Sequence, residues 1–333
     1  MNDNSLLIPN EKKLSAKFRM SGRTWGLLIL ILAYSFLAYK LITFDQYNEL
    51  LSQWQKLPIT QFWWLGFVFL LMPINWLLES IKWRLLVSKI QTITIAETIK
   101  SVLTGISTGF ITPNRVGEFA GRILFLKPEN RKAGVTLSLV NSLTQNIIMA
   151  LCGVPAAILF FSIKIGKFES NLFLYLIFLI PGIIILGLAY FYIPTFIKRF
   201  KFSRFALKVH EFTDCLSDFS KTELFRILLI SLVRYAVFCV QFFLMLRFFG
   251  IDLTFPEAVL AIPTTYLFVT FTPSLAISEA AVRSSYAVLF ISAFSGQVAS
   301  IALAGVSIWF VNFVIPMLIG SVLILRSKTQ SAG

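Results

Sequence analysis

Six long apolar segments, separated by shorter polar stretches, dominate the pattern of hydrophobic and polar positions along the chain. Each segment is long enough to cross about 30 Å of hydrocarbon as a helix, since a helix rises about 1.5 Å per residue. The segments cover residues 25–44, 62–80, 134–162, 171–193, 224–246 and 297–325. The pattern therefore predicts an all-α polytopic membrane protein.

Two further apolar stretches are interrupted by Thr-Pro pairs, Thr112-Pro113 and Thr272-Pro273. The half that begins at Glu97 and precedes the first pair would be only about 22 Å long as a helix. Proline lacks an amide hydrogen and disfavours helix in the residue before it, so both threonines are predicted helix ends. We expect each stretch to form a re-entrant hairpin, which a bilayer tolerates only where protein or a wet cavity covers the broken backbone.

Charged residues repeat behind the two breaks. Glu118 and Arg122 follow the first break, and Glu279 and Arg283 follow the second, 161 positions later. Residues four apart share one face of a helix, so each Glu and its Arg are predicted neighbours. The two repeats cover about residues 62–162 and 224–325. Matching broken helices in two repeats are typical of membrane transporters.

Composition supports a membrane protein, and the distribution of charge predicts its orientation in the membrane. Hydrophobic residues make up 57% of the 333 positions and charged residues only 14%, unlike soluble domains of this size. With the amino terminus in the cytoplasm, twenty Lys and Arg residues lie in cytoplasmic segments and four on the other side, which is a strong positive-inside asymmetry. The cytoplasmic segments are 1–24, 82–100, 127–132, 195–222 and 326–333.

This orientation inverts the two repeats relative to each other, as alternating access between two membrane faces requires. It leaves residues 25–44 as an extra helix outside the repeats. Residues 25–326 are predicted to form a single membrane domain, between a basic cytoplasmic leader at 1–24 and a cytoplasmic tail at 327–333. The connection at 195–222 is rich in basic residues and phenylalanine. It is predicted to be an amphipathic segment on the anionic inner leaflet.

Charges predicted at membrane depth are the candidate functional residues, because each costs about 3 kcal/mol at the bilayer centre unless it is paired or hydrated. Two interpretations remain open. Each Glu–Arg pair closes a turn of its own helix, or the charges line a hydrated groove that binds a lipid headgroup. The excess of positive charge favours a phosphate-containing lipid, since guanidinium groups bind phosphate bidentately. The predicted substrate-binding residues are Arg115, Glu118, Arg122, Arg234, Glu279 and Arg283.

Weaker polar candidates lie nearby. Asn141, Gln145 and Asn146 form a secondary polar face on the span after the first hairpin, where such side chains either join helices or contact a ligand. Glu97 and Glu257 begin the two half-helices, and capping by the carboxylate is the simplest role for each.

A family resemblance rests on two parts of the chain. The motif Thr-Pro-Asn-Arg-Val-Gly-Glu at 112–118 is preceded by Lys-Trp-Arg-Leu-Leu at 82–86, and a second Thr-Pro pair with Glu279 follows. These residues resemble the flippase-type membrane domain of lysylphosphatidylglycerol synthases, over roughly residues 20–326. The resemblance implies an inner-membrane protein of bacteria or archaea and, in fused members, movement of an aminoacylated phospholipid to the outer leaflet. The second motif, at 272–279, lacks the family's glycines, and we expect no aminoacyl-transfer domain after the last span.

The sequence thus predicts a lipid transporter or flippase rather than an enzyme. No phosphate-binding loop, metal cluster or nucleophile motif occurs in it, so neither a cofactor nor a metal is expected. The expected partners are a phospholipid or other phosphate-containing lipid and the anionic inner-leaflet lipids, and not nucleic acid, because topology accounts for the basic charge. The main alternative is a non-transporting lipid-binding or scaffold subunit of an envelope-biogenesis complex, partnered by a second copy or an envelope enzyme. A membrane transferase is a third alternative.

The inverted topology predicts opposite accessibility of the two hairpin tips. Asn114 is expected to be reached from the cytoplasmic side and Ser274 from the other side. Single cysteines at these positions, in a chain without its three native cysteines, test this with a membrane-impermeant thiol reagent. Labelling of both positions from the same side would contradict the inverted repeat.

Overall fold

A computed structural model describes residues 58–110, 112, 115–165, 172–199, 214–274 and 276–327. The predicted leader and first span, the hairpin residues Pro113 and Asn114, and the middle of the 195–222 connection lie outside the described residues. The α-helices are α1 Phe62–Val87, α2 Ile95–Gly109, α3 Gly117–Ile123, α4 Arg131–Ile165, α5 Leu172–Arg199, α6 Lys221–Phe248, α7 Phe255–Phe271, α8 Ala276–Ile291, α9 Val298–Trp309 and α10 Ile315–Ser327. A π-helical turn, Phe310–Val314, joins α9 to α10, and short 3-10 turns occupy Ile59–Gln61, Pro128–Asn130 and Asp214–Asp218.

Within the described residues, four helical segments are long and apolar enough to cross a membrane. They are Ile59–Val87, Pro128–Lys164, Lys221–Phe248 and Val298–Ile324. These segments confirm four of the predicted spans, and residues 172–193 of the segment predicted at 171–193 lie in the continuous helix α5. The protein is therefore an all-α, multi-pass membrane protein.

Two predicted boundaries are wrong for one physical reason each. The span placed at 62–80 continues to Val87, because Lys82, which we had assigned to the cytoplasmic segments, is fully buried beside a carboxylate. The first half-helix ends at Gly109 rather than at Thr112. There the hydroxyl of Thr112 accepts the N–H of Gly117 at 2.7 Å, so the turn into α3 is closed by a side chain. Helices α5 and α6 include residues at the two ends of the 195–222 connection, and its amphipathic character stays a prediction.

The second break follows the prediction more closely. Helix α7 ends at Phe271, and Thr272 is extended, with φ −88° and ψ 117°. Its hydroxyl lies 2.9 Å from the hydroxyl of Tyr286 on α8. This contact joins the two arms of the second hairpin next to the break.

The two halves of the protein exchange packing partners. Helix α2 packs against its hairpin partner α3 and also along α10, while α7 packs against α8 and along α4. Each half-helix thus lies on the last long helix of the other half, and α1 and α6 pack along each other. The inverted relation of the halves stays a prediction.

Glycines permit the closest of these contacts. A Cβ atom on Gly121 of α3 would lie 2.7 Å from the Cα atom of Gly105 on α2. A Cβ atom on Gly320 of α10 would lie 2.0 Å from the carbonyl oxygen of Leu103. Small residues of this kind let membrane helices approach backbone to backbone. Ser107 supports the α2–α10 contact by donating its hydroxyl to the Met317 carbonyl at 2.6 Å.

Capping boxes start both half-helices. The Glu97 carboxylate accepts the Thr94 N–H at 2.8 Å, and the Glu257 carboxylate accepts the Thr254 N–H at 2.8 Å. Capping is therefore the structural role of both glutamates. These backbone hydrogen bonds hold the pKa of Glu97 and Glu257 below the usual carboxyl value. Their stabilisation is present above the unfolded pKa and is lost as the pH falls through the lower folded value.

Basic side chains collect at one end of the bundle. The Lys89–Glu223 ion pair at 2.7 Å and the Asn130–Ile90 hydrogen bond at 3.1 Å bring the starts of α4 and α6 to the α1–α2 loop. The basic residues at this end are Arg84, Lys89, Lys100, Lys127, Arg131, Lys132, Lys221 and Arg226. Lys164 and Arg247 lie at the opposite end. The asymmetry supports a cytoplasmic position for the first end.

We predict that Gly320→Ala destabilises the protein by about 1–3 kcal/mol, because its methyl group would overlap the Leu103 carbonyl and push α2 from α10. Gly187→Ala in α5 is the matched control, since nothing lies within 4 Å of the added Cβ atom. Thermal unfolding of the two purified variants in detergent measures the difference. Equal melting temperatures would contradict the close α2–α10 contact.

Candidate functional site

A buried carboxylate, Glu79 of α1, lies at the centre of a charged cluster. Its Oε1 atom accepts hydrogen bonds from Arg122 at 2.6 Å and from the Asn141 amide at 2.7 Å. Its Oε2 atom lies 3.1 Å from the Lys82 ammonium nitrogen and 3.0 Å from Nη1 of Arg234. Four helices, α1, α3, α4 and α6, therefore meet on a single side chain. We call these residues, together with Glu118, the Glu79 cluster.

The helix period of α1 places its polar groups on one face. Asn75, Glu79 and Lys82 are spaced by four and three residues, so they line the side of α1 that faces its neighbours. All three are buried. Glu79 and Lys82 are functional candidates that the sequence pattern did not predict, because a lysine at the end of an apolar run is typical of the start of a cytoplasmic loop. The three-residue spacing inside an otherwise apolar helix is the signal that would have found them.

Arg122 of α3 shares its guanidinium between two carboxylates. It pairs with Glu118 one turn earlier on its own helix and with Glu79 on α1. Its side chain is 4% exposed and lies 5.6 Å from the ring of Trp83. Glu118 and Arg122 are thus neighbours on one helix face, and Arg122 has a second partner in Glu79. Nη1 of Arg122 has no hydrogen-bond partner among the described residues.

Arg234 lies near the middle of α6, where its polar contacts come from α1 and α4. Its Nε donates to Asn75 at 2.7 Å, and its Nη1 donates to Gln145 at 3.3 Å in addition to pairing with Glu79. Nη2 of Arg234 donates no hydrogen bond within the described part of the chain. The side chain is 17% exposed. Contact between Arg234 and a phosphate stays a prediction.

A second group of charges, the hairpin cluster, joins the two hairpins. Arg115, from the α2–α3 turn, donates from Nη2 and Nε to the two carboxylate oxygens of Glu279 on α8, at 2.5 and 3.2 Å. Arg283, one turn further along α8, donates to the same carboxylate at 3.2 Å. Arg115 is 38% exposed on its side chain, whereas Glu279 is 9% exposed. The hairpin cluster is therefore partly open, unlike the Glu79 cluster.

The position of Arg115 is fixed from several directions. Its φ is 58°, in the left-handed region that few residues other than glycine adopt, and such backbone strain is concentrated at functional sites. Its guanidinium lies 4.0 Å above the ring of Phe313 in the π-helical turn. Phe313 in turn stacks on Phe110 at the end of α2, with ring centroids 5.7 Å apart.

Each cluster carries an excess of one positive charge. The Glu79 cluster holds three cations and two carboxylates, and the hairpin cluster holds two cations and one carboxylate. The combined excess of two charges agrees with the sequence prediction, because the missed Glu79 and Lys82 cancel each other.

The predicted secondary polar face is divided by the structure. Asn141 belongs to the Glu79 cluster, and Gln145 accepts a hydrogen bond from Arg234 of that cluster, whereas Asn146 is exposed. One turn after Asn146, an apolar groove of about 430 Å³ opens between α4 and α7 beside the second hairpin break. The groove is lined by Ala150, Val154, Leu267, Phe268, Phe271 and Thr272. No group of three or more metal-ligating side chains occurs in the described part of the chain.

The fold and the buried charges define a polytopic helical membrane protein with an ion-pair network between broken helices. The family model of the lysylphosphatidylglycerol synthase TM region matches residues 23–320. The chain belongs to this family, which indicates a lipid-related membrane function. Comparison with curated proteins and with solved structures gives no match.

We predict that Glu79→Gln destabilises the protein by about 3–5 kcal/mol, because it leaves the cations of three helices around a neutral amide. Glu118→Gln is the control, with a smaller loss of about 1–3 kcal/mol, since Arg122 keeps its pair with Glu79. Thermal unfolding and the yield of monodisperse protein in detergent distinguish the two. Equal losses would show that Glu79 does not organise the cluster.

Proposed function

We propose that the protein transports a phosphate-containing lipid between the two leaflets of the membrane, with an aminoacylated phospholipid as one candidate substrate. The observation that carries the proposal is the Arg115–Glu279 ion pair, which joins the two hairpins and leaves a guanidinium 38% exposed. A guanidinium between membrane helices attracts an anionic headgroup, and broken helices are typical of transport pathways, so both features support the proposal.

The hairpin cluster and its surroundings offer contacts for both parts of a lipid. Arg115 and Arg283 supply donors to a phosphate, and Nη2 of Arg234 offers a further donor without breaking the pairs that Arg234 already makes. The apolar groove beside Thr272 provides a surface for an acyl chain, with the exposed amide of Asn146 one turn away. In this proposal the headgroup moves between the hairpins while the chain stays in hydrocarbon.

Transport requires the two hairpins to separate, because the Arg115–Glu279 pair closes the space between them. Separating Arg115 from Glu279 breaks one ion pair of a partly exposed guanidinium, whereas opening the Glu79 cluster leaves a carboxylate that is only 3% exposed without its cations, which costs far more energy. We therefore place the moving contact at the hairpin cluster and the fixed framework at the Glu79 cluster. Inverted repeats, an inner-membrane location and cytoplasmic termini belong to the same proposal.

A lipid-binding scaffold is the second candidate function. The observation that favours it is the close pairing of the Glu79 cluster, in which the carboxylate faces three cations and an amide. Such a network stabilises a fold without any ligand. A scaffold of an envelope complex would bind lipid or an envelope enzyme and move nothing.

The test is leaflet-resolved transport of a fluorescent phosphatidylglycerol by the purified protein in lipid vesicles. We expect wild-type activity above protein-free vesicles and a loss of about tenfold or more in Arg115→Gln, since one charge-assisted contact contributes about 1.5–3 kcal/mol. The variant keeps its fold because Glu279 retains Arg283. Arg247→Gln is the control, as its pair with Asp252 is exposed at the end of the bundle.

Two results would reject the proposal. Normal transport by Arg115→Gln would remove the hairpin cluster from the pathway. Absence of transport by the wild-type protein, together with retention of bound lipid, would favour the scaffold function.

A further inference from the structure

We propose that Glu279 occupies the place of a lipid phosphate, and that Arg283 holds this carboxylate aside when a phosphodiester headgroup takes Arg115. The inference rests on the proposed transport function. It assigns the charge of the substrate and makes Arg283 the residue that positions Glu279. Nε and Nη2 of Arg115 donate hydrogen bonds to the two carboxylate oxygens of Glu279. Phosphate binds the same edge of a guanidinium in the same bidentate way.

Arg283 is placed to keep Glu279 in both states. The two residues lie four apart on α8, so their pair survives any movement of one hairpin relative to the other. Arg115 comes from the opposite hairpin, and its pair with Glu279 must break when the hairpins separate. Separation therefore leaves a neutral pair on α8 and one free cation on the α2–α3 turn.

A spare donor on Arg283 completes the exchange. Its Nη2 bonds to Oε1 of Glu279 at 3.2 Å, while its Nε is buried without a hydrogen-bond partner among the described residues. When Arg115 leaves, Oε2 of Glu279 loses its donor. The free Nε of Arg283 lies on the same edge as Nη2 and supplies the replacement, so that Glu279 exchanges one fork of hydrogen bonds for another.

Arg115 keeps its position without Glu279. Its guanidinium lies over Phe313, which the π-helical turn and Phe110 hold in place. Cation–π contact of this kind maintains the orientation of the group when the carboxylate is absent. The site that opens is therefore preformed for an anion.

The charge of the hairpin cluster selects the headgroup. Two cations and one carboxylate leave one positive charge, which a single phosphodiester neutralises. A lipid diphosphate brings additional negative charge that this cluster does not balance, and a neutral glycerolipid leaves Arg115 unpaired. The substrate class is a monoanionic phosphodiester, with any further headgroup charges outside the cluster.

Binding of dihexanoyl phosphatidylglycerol to the purified full-length protein in detergent, measured by calorimetry, tests the exchange. Arg283→Gln should weaken binding about tenfold, because Glu279 then stays on Arg115. Adding Glu279→Gln to this variant should restore wild-type affinity or better. Glu279→Gln alone should bind about tenfold more tightly than wild type, since the competing carboxylate is gone.

Three results would overturn the inference. The first is wild-type affinity in Arg283→Gln. The second is a double variant, Arg283→Gln with Glu279→Gln, that binds as weakly as Arg283→Gln alone, which would mean that Arg283 contacts the phosphate directly. The third is unchanged or weaker binding in Glu279→Gln. The last measurement stands on its own if Arg283→Gln does not fold.

Further ligands identify the source of the phosphate. Glycerophosphoglycerol, which has the phosphodiester and no acyl chains, should bind weakly but follow the same order of variants. Dihexanoylglycerol and a short-chain lipid diphosphate should bind more weakly than the phosphodiester lipid, and a preference for either would overturn the assigned class. If the variants follow the predicted order of affinities but the protein does not transport lipid in vesicles, the exchange of partners is supported and the transport function is rejected. Failure of the exchange is thus distinguishable from failure of the transport function.

Discussion

Burial of charge in a low-dielectric interior is the constraint on which this structure depends. Glu79 satisfies it by contacting an amide and three cations from four helices, and of these cations only Arg122 has a second carboxylate partner among the described residues. The packing of α1, α3, α4 and α6 is therefore coupled to one carboxylate. Helices in lipid gain little from hydrophobic association, so a polar contact of this kind helps to decide which helices meet.

Close backbone contact is the second requirement, because ion pairs at 2.6 to 3.1 Å need helices held in fixed register. The α2–α3 hairpin meets it with Gly105 against Gly121, where a side chain would separate the arms. The approach also carries Arg122 toward α1. Glycine packing and charge pairing are thus two parts of one arrangement, since the loss of either would move the other.

Periodicity and proline positions predicted most of the helices and the second break, because both are local properties of the chain. The spacing of four also predicted that Glu118 pairs with Arg122, and Glu279 with Arg283. It could not predict that Arg115 meets Glu279, since that contact joins residues 164 positions apart and depends on how the hairpins pack. Lys82 was misplaced for a related reason: a lysine at the end of an apolar run looks like a boundary until its buried partner is known.

Exposure, rather than residue chemistry, separates the two clusters. Both consist of arginines and glutamates with an excess of one positive charge, yet the Glu79 carboxylate is enclosed by four helices whereas Glu279 faces a guanidinium that is 38% exposed. Interactions between charges weaken as the local dielectric rises, so the partly open pair exchanges partners more readily than the enclosed one. The Arg115 side chain is 38% exposed, whereas that of Arg122 is 4% exposed. In the proposed transport function, the enclosed cluster is the fixed framework, and the partly open cluster is where a substrate competes for a contact.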